Sequence, residues 1–283
     1  MNTIAHRNPT EDSPTAALDT AAKFFRLLTR QGVELSHFDR PNNSTMARGN
    51  LAEYLKMGCP KIDSNGEIVT PTLPDGEDLA CLILGDDFLS PGDVSKAYGF
   101  SYSGDQRTDL AETVPDFETL MWLRTNGYML LATPPSEMNL LHVRDLDNQL
   151  FYSKSEGWYA EGQHTFSRED VVKAGQWLMV RKEPYANSRK KTWDEQKNLL
   201  TDVEHVPNAP EVSYAVTAYY KVRDVYLLKG VYVRTSSVDA DGDRVVVGNG
   251  GVDGLLVHND YDDDRDDSIG VSSSRKNLDT LNT

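Results

Sequence analysis

The residues of this chain whose types and spacing could do chemistry are carboxylates concentrated near the C-terminus. Asp239, Asp241 and Asp243 occupy alternate positions, as do the first ligands of an EF-hand calcium loop. Such a loop also needs a glycine and a bidentate glutamate at fixed later positions, where this chain has Arg244 and Gly250. The pattern therefore does not predict an EF-hand.

A second group of carboxylates follows, and it leaves two alternative functions open. Hard cations accept many carboxylate geometries, so a calcium-dependent binding or adhesion module is one of them. A hydrolase using paired carboxylates is the other, although it needs one group with a raised pKa in an apolar pocket, a contrast that a uniformly acidic loop does not predict. The carboxylates concerned are Asp260, Asp262, Asp263 and Asp264.

The rest of the chain contains no pattern typical of an active site. Its six histidines are scattered through different predicted elements, and its two cysteines are too few for a disulfide scaffold or a four-cysteine zinc site. The glycines at 248–251 open no helix, so they do not predict a phosphate site. We therefore expect a protein that is not an enzyme and has no resident cofactor.

Charge and hydropathy exclude several classes of partner. The net charge of -15 and the pI near 4.8 argue against nucleic acid, because phosphate binding needs clustered lysine and arginine. We find no signal peptide and no apolar stretch of the roughly 18 residues that a membrane span requires. The expected location is the cytoplasm, or a virion or cell surface reached by another route.

The elements that must position the carboxylates predict an α+β domain, because a strand and two helices precede many short strands. A capping box of Thr192 and Glu195 opens one of these helices. The predicted strands are 128–132, 151–152, 158–159, 177–181, 225–228, 231–235, 244–247, 255–257 and 269–272, the last five forming a terminal antiparallel sheet. The predicted helices are 15–32, one opening at residue 90, 115–127, 136–145, 167–174, 192–200 and 208–223, and a hairpin turn is predicted at 63–66.

This order suggests two sections. Residues 1–130 are predicted to be a helical and loop-rich N-terminal section, and residues 131–283 a ligand-binding domain.

Within that domain, residues 238–275 contain ten Asp but no Glu, and they also lack Lys, Gln, Met and Trp. Solvation does not explain these absences, since glutamate and lysine solvate as well as aspartate. The residues that are present can all be encoded by triplets ending in a pyrimidine, whereas the five missing ones cannot, which indicates a genetic filter.

Three stretches of the chain resemble the variable proteins of diversity-generating retroelements. The resemblance is to the branch, including phage and archaeal members, whose C-terminal domain has a C-type lectin fold related to the formylglycine-generating enzyme. The stretches are Trp177–Pro184, Val231–Ser237, and Gly254–Val257 continuing through Arg265 to Gly270–Val271 and Arg275–Lys276.

The resemblance implies a ligand-binding function with massive sequence variation. In that family an error-prone reverse transcriptase randomises template adenines, which would account for the codon filter. The partner implied is a protein ligand or cell-surface target, bound by a hypervariable surface. The fixed scaffold would include Arg244, Gly248, Gly254, Arg265, Gly270 and Arg275. The variable, ligand-binding positions would be Asp239, Asp241, Asp243, Asn249, Asp253, His258, Asn259, Tyr261, Asp262, Asp264, Asp266, Asp267 and Ser272.

Two departures limit what the resemblance implies. The formylglycine-generating relatives need a catalytic cysteine pair, but Cys59 and Cys81 lie outside the lectin-like half of this chain. Sugar-binding lectins carry Glu-Pro-Asn or Trp-Asn-Asp calcium motifs, of which residues 183–187 and 258–260 are distant versions. Neither oxidase activity nor calcium-dependent sugar binding is therefore expected.

Overall fold

The computed structural model describes residues 61–62, 68–69 and 76–276 of the chain, whose contacts divide between Pro74 and Asp75 into two compact units. In the first unit, β1 (Lys61–Ile62) pairs antiparallel with β2 (Ile68–Val69). This pairing confirms the predicted hairpin. The helix predicted at 15–32 lies outside the described residues.

The second unit begins with four helices, three of which start at a capping side chain. Ser90 and Asp93 form a capping box, and the Asp116 side chain accepts a hydrogen bond from the Thr119 amide, so the helices predicted at these two points are confirmed. Two of the four helices, at 76–84 and 104–112, were not predicted, and the second of them is polar, with Leu110 as its buried residue. The helices are α1 (Gly76–Leu84), α2 (Pro91–Tyr98), α3 (Gly104–Glu112) and α4 (Phe117–Asn126).

A five-stranded sheet forms one layer of this unit, with the order β3-β4-β7-β13-β8. β4 pairs antiparallel with β7 along its whole length and is fully buried, which confirms both predicted strands. The domain boundary expected at residues 130 and 131 falls inside β4. The strands are β3 (Phe88–Leu89), β4 (Tyr128–Ala132), β7 (Trp177–Arg181), β8 (Glu204–His205) and β13 (Ser274–Arg275).

The region between β4 and β7 departs most from the sequence predictions. β5 (Met138–Asn139) precedes α5 (Leu140–Leu146), so the predicted helix begins later than expected. The predicted strands at 151–152 and 158–159 are wrong, since the first makes a single bridge and the second is a 3₁₀ turn, Trp158–Ala160. The helix predicted at 167–174 is also wrong, because a π-helical turn, Thr165–Glu169, is followed by β6 (Val171–Val172), which pairs with β5.

A four-stranded sheet of order β11-β10-β9-β12 forms the second layer. β9 (Tyr232–Val238), β10 (Arg244–Gly248) and β11 (Leu256–Asp260) are antiparallel, but β12 (Ile269–Val271) runs parallel to β9. The prediction of a purely antiparallel terminal sheet is therefore wrong at β12, because loop 261–268 crosses to the start of β9. Residues 225–228 are not a strand, since Leu228 has a left-handed φ of 54°.

Two further helices join the layers. α6 (Trp193–Lys197) begins with the predicted capping box of Thr192 and Glu195, and α7 (Ala209–Arg223) confirms the long helix predicted there. α7 contacts β7 of one sheet and β9 and β10 of the other, so its side chains are buried on more than one face. The described unit is thus an α+β arrangement around one core. In the part of the chain that the structure describes, no helix is long and apolar enough to cross a membrane.

A buried glutamate, Glu204, connects the residue before β13 to neighbouring strands of the five-stranded sheet. Glu204 accepts hydrogen bonds from the Tyr128 hydroxyl, from the Ser273 hydroxyl at 3.1 Å, and from the Thr201 hydroxyl at 2.7 Å and amide at 2.9 Å. Burial raises the pKa of Glu204, but these hydrogen bonds outweigh it and hold the pKa below its ordinary value. The carboxylate therefore stabilises the fold in its ionised form.

We expect Glu204 to make the fold sensitive to acid. Because its pKa is lower in the folded than in the unfolded chain, its stabilisation is complete above the ordinary glutamate pKa of about 4.3 and is lost as the pH falls through the lowered folded-state pKa. Urea unfolding at a series of pH values should give Glu204→Gln a lower free energy of unfolding at neutral pH and a shallower acid dependence than wild type. Glu161→Gln, at an exposed glutamate, is the control. Parallel acid profiles for wild type and Glu204→Gln would contradict this role.

Candidate ligand-binding surface

Residues 238–275, here called the filtered segment, fold around β10 and β11. They include a turn at 239–243, a second turn at 249–255 and the loop at 261–268. Asp239 organises the first turn, because its buried carboxylate accepts hydrogen bonds from the amides of Asp241 at 2.9 Å and Asp243 at 2.8 Å. Its other oxygen accepts a bond from the Asn259 side chain at 2.8 Å. This turn is therefore tied to β11.

The three glycines assigned to the fixed scaffold occupy places that have no room for a side chain. A Cβ added at Gly248 would lie 2.2 Å from the Val231 carbonyl oxygen, and one at Gly270 would lie 2.6 Å from Pro184. At Gly254 it would lie 2.4 Å from the Phe151 backbone, and this glycine also has a left-handed φ of 96°. These positions demand glycine on steric grounds.

A fully buried arginine on β9 holds the loop after β11. The Arg234 guanidinium donates to the side chain of Asp260, and to the carbonyl oxygens of Tyr261 at 2.8 Å and Asp264 at 3.1 Å. It also donates to the Gln196 side chain at 3.1 Å. Burial holds the pKa of Asp260 above its ordinary value, although the charge and hydrogen bond of Arg234 act in the opposite direction. Arg234 lies in a stretch that carries the family resemblance, but the sequence assigned it no role.

Two arginines assigned to the fixed scaffold connect the same loop to α6, Arg244 from β10 and Arg265 from within the loop. The Arg244 guanidinium lies 4.2 Å above the Trp193 ring and pairs with Asp262 at 3.1 Å, while the Trp193 amide donates to the Asp262 carbonyl oxygen at 2.8 Å. Arg265 pairs with Glu195 at 2.8 Å on the surface. α6 and the acidic loop are therefore connected by several contacts.

The predicted variable positions differ in exposure. Asp239 is buried in its turn, and buried Ser272 donates a hydrogen bond to the Arg234 carbonyl oxygen at 2.7 Å. Half-buried positions are Asp243, Asn259, Asp262 and Asp266, and exposed positions are Asp241, Asn249, Asp253, His258, Tyr261, Asp264 and Asp267. Most of the set can therefore reach a ligand, whereas Asp239 and Ser272 face the protein.

The structure brings the predicted positions together in two groups rather than one. Because β10 and β11 are antiparallel, the turn at 239–243 and the start of the loop, residues 261–264, lie at one end of the hairpin, while Asn249 and Asp253 lie at the other end. Four residue steps along β10 separate the ends by about 13 Å. His258 lies between them on β11, opposite Val246.

The end that contains the first turn is strongly acidic. Desolvation, and then the charges of Asp239, Asp241 and Asp262, raise the pKa of Asp243. Elsewhere on the loop, the Ser268 hydroxyl and amide lower the pKa of Asp266, and exposed Lys190 pairs with Asp267 at 3.6 Å. The carboxylates around the turn thus repel each other and favour a cationic partner.

The two alternatives based on carboxylates receive no geometric support. Residues 76–276 contain no group of three histidine, cysteine, aspartate or glutamate side chains placed to hold a metal ion. Among the four carboxylates considered for calcium, Asp260 is paired with Arg234 and Asp262 with Arg244, so a cation there would compete with two fixed guanidinium groups. Asp262, one of the carboxylates that a hydrolase would use, is engaged in the same pair with Arg244.

The structure adds surface residues that the sequence did not identify. Tyr152 and Val252 are large exposed side chains, and the Trp158 ring stacks on the His258 ring with 5.8 Å between their centroids. Tyr152 lies beside the filtered segment because of a bridge between Phe151 and Leu255, which are too distant in the chain for a local pattern to pair them.

Comparison with known proteins gives no match for this chain among protein-family models, curated proteins or solved structures.

Proposed function

We propose that this chain is a non-enzymatic binding protein whose C-terminal surface, at residues 238–275, is diversified by a retroelement to recognise varied ligands. The scaffold we propose for it is a C-type lectin fold, for which the α+β arrangement with its mixed terminal sheet is the support. The observation that carries the proposal is that seven of the thirteen predicted variable positions in this segment are exposed, whereas the three glycines of the predicted fixed scaffold have no room for a side chain.

The division follows from how the segment is built. Val245, Val246 and Val247 of β10 are buried, and Gly248 and Gly254 have no room for a side chain. Between these positions the side chains are mainly exposed. Substitutions at exposed positions rarely change stability by more than about 0.5 kcal/mol, whereas changes in a packed core cost several times more. Random replacement restricted to the exposed positions would therefore leave the fold intact.

The charge of the surface indicates the class of ligand. Exposed carboxylates surround the first turn and the following loop. A basic ligand, or one rich in hydrogen-bond donors, complements this surface, and its binding weakens as salt screens the charges. Proteins that present arginine or lysine satisfy this requirement.

Sequencing the DNA that flanks this gene tests the proposal directly. We expect a reverse transcriptase gene and a near-copy of the codons for residues 239–275, differing from the gene only at adenines of the copy. Mismatches should fall at the exposed positions named above and should spare the codons of Gly248, Gly254 and Gly270. If the flanking DNA contains neither gene nor near-copy, the acidic segment is an ordinary surface and the proposal is wrong.

A further inference from the structure

The two groups of predicted variable positions are separated along β11, and residues outside the filtered segment lie beside that strand. β11 is an edge strand of its sheet. The Tyr152 amide donates to the Leu255 carbonyl oxygen at 3.0 Å, and the Leu255 amide donates to the Leu150 carbonyl oxygen at 2.7 Å. Further along, the half-buried Trp158 ring stacks on His258. Tyr152, Trp158 and His258 are here called the aromatic strip.

Two members of the aromatic strip belong to a segment that is held firmly. The Tyr159 ring is buried, its hydroxyl donates to the Ser153 carbonyl oxygen at 2.8 Å, and the Arg144 guanidinium lies 6.0 Å from its centre. Gly157 has a φ of 128°, and a Cβ there would lie 2.5 Å from the Ser153 hydroxyl. The backbone that carries Tyr152 and Trp158 is therefore held in place, which reduces the entropy cost of binding.

Exposed side chains of suitable chemistry continue the strip in both directions. Tyr152 is 61% exposed, and Val252, in the turn at the near end of β11, is 87% exposed. Asp253 lies in the same turn, and exposed Glu156 and Glu161 flank Trp158 in sequence. At the far end of β11 are the carboxylates of the first turn. Tyr152 thus lies beside the start of β11 and Trp158 lies on its middle, with acidic groups at both ends of the strand.

We infer that the ligand surface is continuous along the β11 edge, and that Tyr152 and Trp158 are constant contact residues between the two variable groups. The occupant we infer is an extended protein segment that presents arginine or lysine. Cations are attracted to aromatic faces, Trp and Tyr often dominate binding energy, and carboxylates at either end complement the charge of such a segment. This inference rests on the proposed function, because it assigns the partner of that same surface.

The test is binding of fluorescein-labelled octa-arginine to the full chain, followed by fluorescence anisotropy at about 0.05 M salt. We expect the wild type to bind it, and Trp158→Ala and Tyr152→Ala each to weaken binding about tenfold. Both substitutions leave the net charge unchanged, so the loss would not come from long-range attraction. Trp158→Phe keeps a ring and should stay within about threefold of wild type.

Two controls distinguish loss of the proposed contacts from a general effect of removing an aromatic residue or of misfolding. Phe117, on α4, is another large exposed aromatic residue, and Phe117→Ala should leave binding unchanged. Since Trp158→Ala could disturb its loop, the largely exposed Tyr152 provides a variant with little folding risk. The inference is wrong if the wild type does not bind octa-arginine, or if Tyr152→Ala binds it as tightly as wild type.

The outcome can be separated from that of the proposed function. A near-copy of the codons found beside the gene, together with unchanged binding by the Tyr152 and Trp158 variants, would overturn the aromatic strip alone. Weakened binding by those variants without any such copy would support the strip and overturn diversification.

Discussion

Replacing Arg234 with methionine should lower the free energy of unfolding by about 3–5 kcal/mol, because it leaves a buried carboxylate without its counter-charge. The Arg234 side chain is 0% exposed and that of its partner Asp260 is 11% exposed. The substitution also removes the donors to the carbonyl oxygens of Tyr261 and Asp264. Urea unfolding followed by circular dichroism measures the change.

A double variant and a surface control show whether the buried charge is the cause. Arg234→Met combined with Asp260→Leu removes both charges and should recover part of the loss, since an apolar pair replaces an ion pair at little cost. Arg265→Met removes an exposed arginine whose side chain is 54% accessible and should not measurably change stability. Equal stability of the Arg234→Met variant and wild type would exclude a structural role for the pair.

Gly254→Ala should destabilise the fold by about 2–5 kcal/mol, since a left-handed backbone strains any side chain and overpacking adds to that strain. The added Cβ would meet the backbone of Phe151 and Tyr152, neither of which can move aside as a flexible side chain could. The loss should appear in thermal and urea unfolding. The substitution should also weaken the hydrogen bonds between residues 150–152 and Leu255 at the start of β11.

Gly251→Ala is the matched control in the same turn. A Cβ at Gly251 would have its nearest neighbour, the Asn249 carbonyl oxygen, 3.9 Å away, and the residue has no left-handed φ. Its substitution should therefore change stability by no more than about 0.5 kcal/mol. If both glycine variants were equally stable, the fixed scaffold at Gly254 and the packing of Phe151 against it would both be in doubt.

Local signals in the sequence predicted the elements that local interactions specify. The helix opening predicted at residue 90 and the capping box predicted at Thr192 are the starts of two helices, and the helix predicted at 208–223 is α7. The failures occurred where distant residues decide the structure. β12 is parallel to β9 because of a crossover connection. The conformation of residues 151–152 depends on pairing with Leu255, which is distant from them in the sequence.

The candidate site was predictable in the same uneven way. Composition alone located the filtered segment, since absences of residue types are visible without any structure. Composition could not show that Asp239 bonds to its own turn, or that Ser272 faces Arg234. Nor could it place Trp158 on His258, because contact across an edge strand depends on the register of the whole sheet.

Arg234 binds the acidic loop mainly through hydrogen bonds to backbone carbonyl oxygens, which do not depend on the side chains of the loop. Two of its contacts are with the carbonyl oxygens of residues 261 and 264, and the backbone of residue 262 accepts a further bond from the Trp193 amide. Exchanging the side chains at these three positions leaves all three bonds available. Under the proposed function, such a loop could change the ligand that it binds without losing the bonds that fix its backbone.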